Sequence, residues 1–149
     1  MAFHFSLESL LRIRERMLEL AETEFAQLIN KKRELEKEYK RSKALLKGES
    51  EKLKQAIQEG IMSSEFNLRI QLIASMEQKV KELDGRLKQI EIELLKAREN
   101  LKQRHTECEL VRNLKERQLK KYLKEVDAKL QKELDELVSL KYARLRGAS

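Results

Sequence analysis

The sequence predicts an all-α protein: two long helices that form an antiparallel coiled-coil hairpin, the second helix longer and ending in a C-terminal overhang. Three observations predict it. None of the 149 residues is proline, so nothing in the chain forces a helix to break. Charged residues make up 40% and aromatic residues 5%, a bias toward long helices rather than a globular core. Apolar residues recur in a strict seven-residue register, in two blocks separated by Gly60.

The first block steps by four and three from Leu7. It runs through Leu11, Arg14, Leu18, Ala21, Phe25, Leu28, Lys32, Leu35, Tyr39, Ser42, Leu46, Glu49, Leu53 and Ala56, and 11 of these 15 positions are apolar. Lys, Glu, Arg and Gln fill most of the intervening positions. Pairs such as Glu8 with Arg12 and Glu36 with Lys40 support the helix at four-residue spacing. This sets helix one at about 4–58. The turn is placed at about 59–64, where Gly60 can take the left-handed cap conformation and Ser63 or Ser64 can cap the next helix. Gly48 and Gly85 fall inside helical patterns, where glycine weakens a helix without ending it.

Helix two, at about 65–146, takes up a new register. Its seam is Ile73, Met76, Val80, Leu83, Leu87, Ile90, Leu94, Ala97, Leu101, Arg104, Cys108 and Val111, with 11 of 12 positions apolar. The next positions, Lys115 and Gln118, are polar. A displaced series follows: Leu119, Leu123, Val126, Leu130, Leu137 and Leu140, interrupted by Glu133. A fold at residues 60–62 pairs residues whose numbers add to about 122, so Phe3 is expected opposite residue 119. Helix one therefore ends where the register shifts, and about 30 residues of helix two are left without a partner in the chain. At 1.5 Å per residue the paired part is on the order of 80 Å long, and the overhang adds about 45 Å. The break in mid-chain with matched seams on both sides favours this hairpin over a parallel homodimer. We find no internal repeat or linker, and expect one domain over 1–149.

Disorder is the alternative for so charged a chain, with its mean hydropathy of −0.69. The 40% hydrophobic content and its regular spacing oppose that reading. Catalysis has no foothold. There is no glycine-rich phosphate loop, His4 and His105 lie far apart without metal-ligand spacing, and Cys108 sits in the seam as a small apolar residue. We expect no enzymatic activity, cofactor, metal or small-molecule substrate. One cysteine, no apolar run of membrane-spanning length and no signal-peptide layout point to a cytoplasmic protein without direct membrane insertion.

Three features are candidate contact surfaces. The overhang stripe from Leu119 to Leu140 needs a cover. Arg112, Lys115, Arg117, Lys120, Lys121 and Lys124 leave a net charge of +5 over 112–124, beside Arg12, Arg14 and Arg16 of the other helix. That suits an acidic partner. Around the turn, Leu45 and Leu72 fall outside both seams, and an apolar patch near the tip can mark a contact site.

The same residues carry a family resemblance. The opening Phe3-x-Phe5-Ser6-Leu7-x-Ser9-Leu10-Leu11-x-Ile13-Arg14-x-Arg16 resembles the start of the bacterial flagellar export protein FliJ. The turn Gly60-Ile61-x-Ser63 and the closing segments Leu114-Lys115-Glu116-Arg117, Tyr122 and Lys132-Glu133-Leu134-Asp135-Glu136 are similar to that family too. The resemblance implies a stalk like that of rotary ATPases, inserted into the hexameric flagellar export ATPase and promoting its assembly and activity. It also implies contacts with the cytoplasmic domain of the membrane export gate and with export chaperones. The place implied is the cytoplasmic face of the inner membrane at the flagellar base. On this reading Arg112, Lys115, Arg117, Lys120, Lys121 and Lys124 face the ATPase ring, and Leu45, Leu72 and Met76 face the gate. The equivalent stalk of a virulence-type secretion system shares fold and mechanism. A nucleic-acid-binding coiled coil is disfavoured because acids interrupt most basic runs and aromatic platforms are missing. A plain structural spacer predicts no ATPase partner.

Overall fold

Two helices account for nearly all of the computed structural model, which describes residues 2–147. Helix α1 is Glu8–Glu59 and helix α2 is Ser63–Gly147, 52 and 85 residues long. They pack antiparallel as a helical hairpin with α2 the longer, the architecture read from the heptads. Cross-helix contacts group the residues into two units. A terminal unit holds residues up to Leu18 together with those from Arg104 onward, and a middle unit holds Glu19–Gln103.

The seam positions are where the helices meet. None of the 15 expected on α1 is exposed, and neither is any of the 12 on α2. In the terminal unit the core is Phe5, Leu11, Leu18, Cys108 and Val111. In the middle unit it is Ala21, Ser42, Leu53, Leu83, Ile90 and Ala97. Each fully buried Leu or Ile contributes about 1.5–3 kcal/mol.

Both helix starts differ from expectation. Helix α1 begins at Glu8 rather than near residue 4, because Ser6-Leu7 form a turn in which the Glu8 N–H donates to the Phe5 carbonyl at 3.2 Å. Helix α2 begins at Ser63, and the first bond of its ladder runs from the Phe66 N–H to the Met62 carbonyl at 2.9 Å. Ser63 and Ser64 thus lie inside the first turn rather than before it. Helix α1 ends at Glu59, and the next residue, Gly60, has φ of +88° and an N–H that reaches the Ile57 carbonyl at 3.3 Å.

The glycines should respond with opposite signs. A Cβ at Gly48 or Gly85 would meet nothing within 4 Å and sits on helical backbone. Gly48→Ala and Gly85→Ala should each stabilise by about 0.5–1 kcal/mol. Gly60→Ala should destabilise by about 1 kcal/mol, because its φ is unfavourable for any side chain. Urea midpoints of the three variants would check both signs.

Candidate partner-binding surfaces

The terminal unit is built around a polar cluster in the seam. Arg14 and Arg104 are the arginines that interrupt the two apolar series, and the antiparallel pairing brings them to one place. Arg14 Nη1 donates to Glu107 Oε2 at 2.8 Å, and Arg104 Nη1 donates to the same oxygen at 3.2 Å. Arg104 Nη1 also lies 3.9 Å from the Met17 sulfur. The three charged side chains are between a quarter and a third exposed, so one carboxylate neutralises two half-buried guanidinium groups only in part.

On one side of the unit, ion pairs bridge the helices. Lys115 Nζ meets Glu8 Oε2 at 2.9 Å, and Arg112 meets Glu15 at 3.6 Å and Glu109 at 3.4 Å. The Arg112 guanidinium is held above its already high ordinary range, first by the Cys108 sulfur and then by Glu109 and Glu15. It therefore carries its charge at every working pH.

These pairs divide the basic cluster. Arg112 and Lys115 serve the hairpin itself. Arg117, Lys120, Lys121 and Lys124 are exposed, and none of them makes an ion pair among the described residues. Four cations free to meet an acidic surface lie between Glu116 and Glu125.

The seam does not slip where the apolar register does. The positions that continue it, Lys115, Gln118 and Tyr122, are half-buried, whereas Leu119 and Leu123 are exposed. The Phe3 ring lies 5.5 Å from the Tyr122 ring, three residues beyond the expected position 119. The reason is that Phe3 precedes the helix. Non-helical chain advances about 3.3 Å per residue against 1.5 Å for a helix, so it reaches further along α2. The apolar stripe runs beside the seam. Beyond Val126 it is exposed throughout, with Leu137 at 62% and Leu140 at 63%. Tyr122, Val126, Leu130 and the neighbouring Glu125, Lys129 and Glu133 line an open groove of about 390 Å³.

In the middle unit, Leu45 and Leu72 are exposed and Met76 is half-buried in the seam. Ile57, Met62, Leu68 and Ile70 are also exposed near the turn, while Ile61 and Phe66 are half-buried and close it.

Two features escape a seam-based reading. Glu107 occupies no seam position, so its bond to both arginines is invisible until the helices are paired. The second is a further apolar series in the terminal unit, Leu10, Ile13 and Met17 on α1 with Leu110 and Leu114 on α2. Its spacing of three and four was detectable. Ile13, Leu110 and Leu114 are exposed, and Leu10 and Met17 are half-buried.

Among the described residues no cluster of His, Cys, Asp or Glu could hold a metal, and no helix is long and apolar enough to cross a membrane. His4 and His105 are exposed and Cys108 is fully buried.

No curated protein matches this sequence significantly. Among solved structures, a putative YscO homolog, CT670 from Chlamydia trachomatis, is similar in fold. The TM-score is 0.55 and the identity 23%, over 99% of this chain and 100% of that one. Residues 3–147 match the family model described as flagellar FliJ protein, so nearly the whole hairpin is accounted for by one family. The chain belongs to the flagellar FliJ protein family.

Proposed function

We propose that this protein is a non-enzymatic stalk of the flagellar type III export apparatus. Its terminal unit enters the central hole of the hexameric export ATPase and promotes assembly and hydrolysis. The turn end, through Leu45, Leu72 and Met76, contacts the cytoplasmic domain of the export gate, and export chaperones use the same protein as a meeting point. The protein works in the cytoplasm, held at the inner membrane by its partners.

Family membership over residues 3–147 supports the apparatus. The observation that carries the stalk reading is the row of cations Arg117, Lys120, Lys121 and Lys124, without ion pairs among the described residues, beside an apolar stripe that is exposed beyond Val126. A stalk inside a ring needs a surface attractive to the ring wall but not consumed by its own fold, and these residues meet that need. Arg112 and Lys115 belong to the same cluster but are held by Glu8, Glu15 and Glu109, so they contribute less to the ring contact.

The test replaces Arg117 and Lys121 by Glu and measures stimulation of the export ATPase. The variant should lose stimulation by about tenfold or more, because like charges across an interface are strongly unfavourable. The same charge reversal at the exposed Lys47 and Lys54 of the middle unit should leave stimulation unchanged. Full stimulation by the first variant would remove the basic row from the ring contact.

A further inference from the structure

We infer that one face of the terminal unit is a docking groove for the acidic amphipathic helix of a partner protein, seated between Leu10, Ile13 and Met17 of α1 and Leu110 and Leu114 of α2. The inference does not depend on the ATPase reading.

The groove follows from the pairing of the helices. Leu10, Ile13 and Met17 step by three and four along α1, and Leu110 and Leu114 by four along α2, so each set forms a ridge on one face of its helix. The contacts Arg14 to Glu107 and Glu8 to Lys115 fix the register, which sets Ile13 alongside Leu110 and Leu10 alongside Leu114. The Arg104 guanidinium reaching Met17 lies at the floor between the ridges. The opposite side of the unit is closed by the pairs of Glu8 with Lys115 and Glu15 with Arg112. Two parallel apolar ridges with a furrow between them are what a third helix packs into.

Exposure marks this face as unfinished. Ile13 is 56% exposed and Leu110 65%, high for large apolar side chains that lie side by side. This face is distinct from the overhang stripe. Nine residues separate Leu110 from Leu119, and nine steps of 100° put the two on opposite sides of α2.

The charges choose the occupant. Arg117 and Lys121 follow Leu114 on the same face of α2, exposed and without an ion pair among the described residues. At the floor, two arginines share one carboxylate, which leaves the furrow positive. Three of the unit's acids, Glu8, Glu15 and Glu109, are paired on the other side. A second copy of this chain would bring Arg117 and Lys121 against the same cations. A partner helix with leucines toward the furrow and carboxylates on its flanks satisfies both the apolar ridges and the cations.

The test needs no native partner and no ATPase. A stapled, fluorescein-labelled peptide of about three heptads, with Leu at the seam positions and Glu on the flanks, is titrated with the full chain and followed by anisotropy. It should bind, and an otherwise identical peptide with Lys flanks should bind about tenfold or more weakly. Ile13→Asp with Leu110→Asp should weaken the acidic peptide by about tenfold or more, with helicity unchanged because both residues are exposed. Arg117→Glu with Lys121→Glu should weaken it comparably and flatten its salt dependence. Leu137→Asp with Leu140→Asp should leave binding intact. The inference is overturned if the acidic peptide does not bind, if the Lys peptide binds as well, or if binding is lost only in the Leu137/Leu140 variant. It also falls if light scattering shows a wild-type dimer that Ile13→Asp with Leu110→Asp dissociates, or if binding to phosphatidylglycerol vesicles is lost in that variant.

Discussion

Leu83→Ala should cost about 2–4 kcal/mol and lower the melting temperature by roughly 5–12 °C. Leu83 is 2% exposed, the most enclosed large side chain of the middle unit. It sits in a two-helix seam with a single layer of core, so no second layer can relax into the gap. Leu95→Ala is the contrast. Leu95 lies on the same helix at 62% exposure, and its loss should change stability by less than about 0.5 kcal/mol. Thermal and urea unfolding of the two variants would measure the difference. Equal effects would mean that the heptad positions do not carry the stability.

The second large effect concerns the cluster of Arg14, Arg104 and Glu107. Glu107→Ala should destabilise by about 1–3 kcal/mol, because it leaves two guanidinium groups facing each other across the seam. Partial exposure of all three keeps the figure below that for a fully buried triad. Replacing all three by Leu should have the opposite sign and stabilise by up to about 1–4 kcal/mol, since an apolar seam removes the desolvation cost. The two variants together separate the worth of the cluster from the cost of breaking it. If the triple variant keeps the proposed ATPase stimulation while melting higher, the charges are dispensable for it. If it melts higher and loses stimulation, they serve register, as polar seam residues can.

Much of this was legible before the helices were paired. Heptad spacing located the seam on both helices, including its polar positions, because a side chain at a seam position is carried to the partner whatever its chemistry. Arg14, Lys32, Ser42 and Glu49 break the apolar pattern, yet none is exposed. Gly60 marked the turn because few other residues accept its φ. The helix starts were less legible: Ser6 and Ser63 have turn-forming character, and only backbone bonds decide which residue begins the ladder. Candidate surfaces were readable as composition but not as availability. Six cations form one cluster in the sequence, and only their geometry shows that Arg112 and Lys115 are spent on Glu15, Glu109 and Glu8. The ridge of Leu10, Ile13 and Met17 went unread because a single seam already explained the helix.

Cys108 is wholly enclosed, with no measurable exposure, and it is the chain's one thiol. A disulfide reagent can reach its sulfur only when α1 and α2 part around it. The labelling rate, set against that of an unfolded chain, therefore reports how often this stretch opens, in the manner of amide exchange. The native molecule thus carries an internal clock for breathing at its terminal unit. Any ligand that clamps the two helices there would slow it without a single engineered probe.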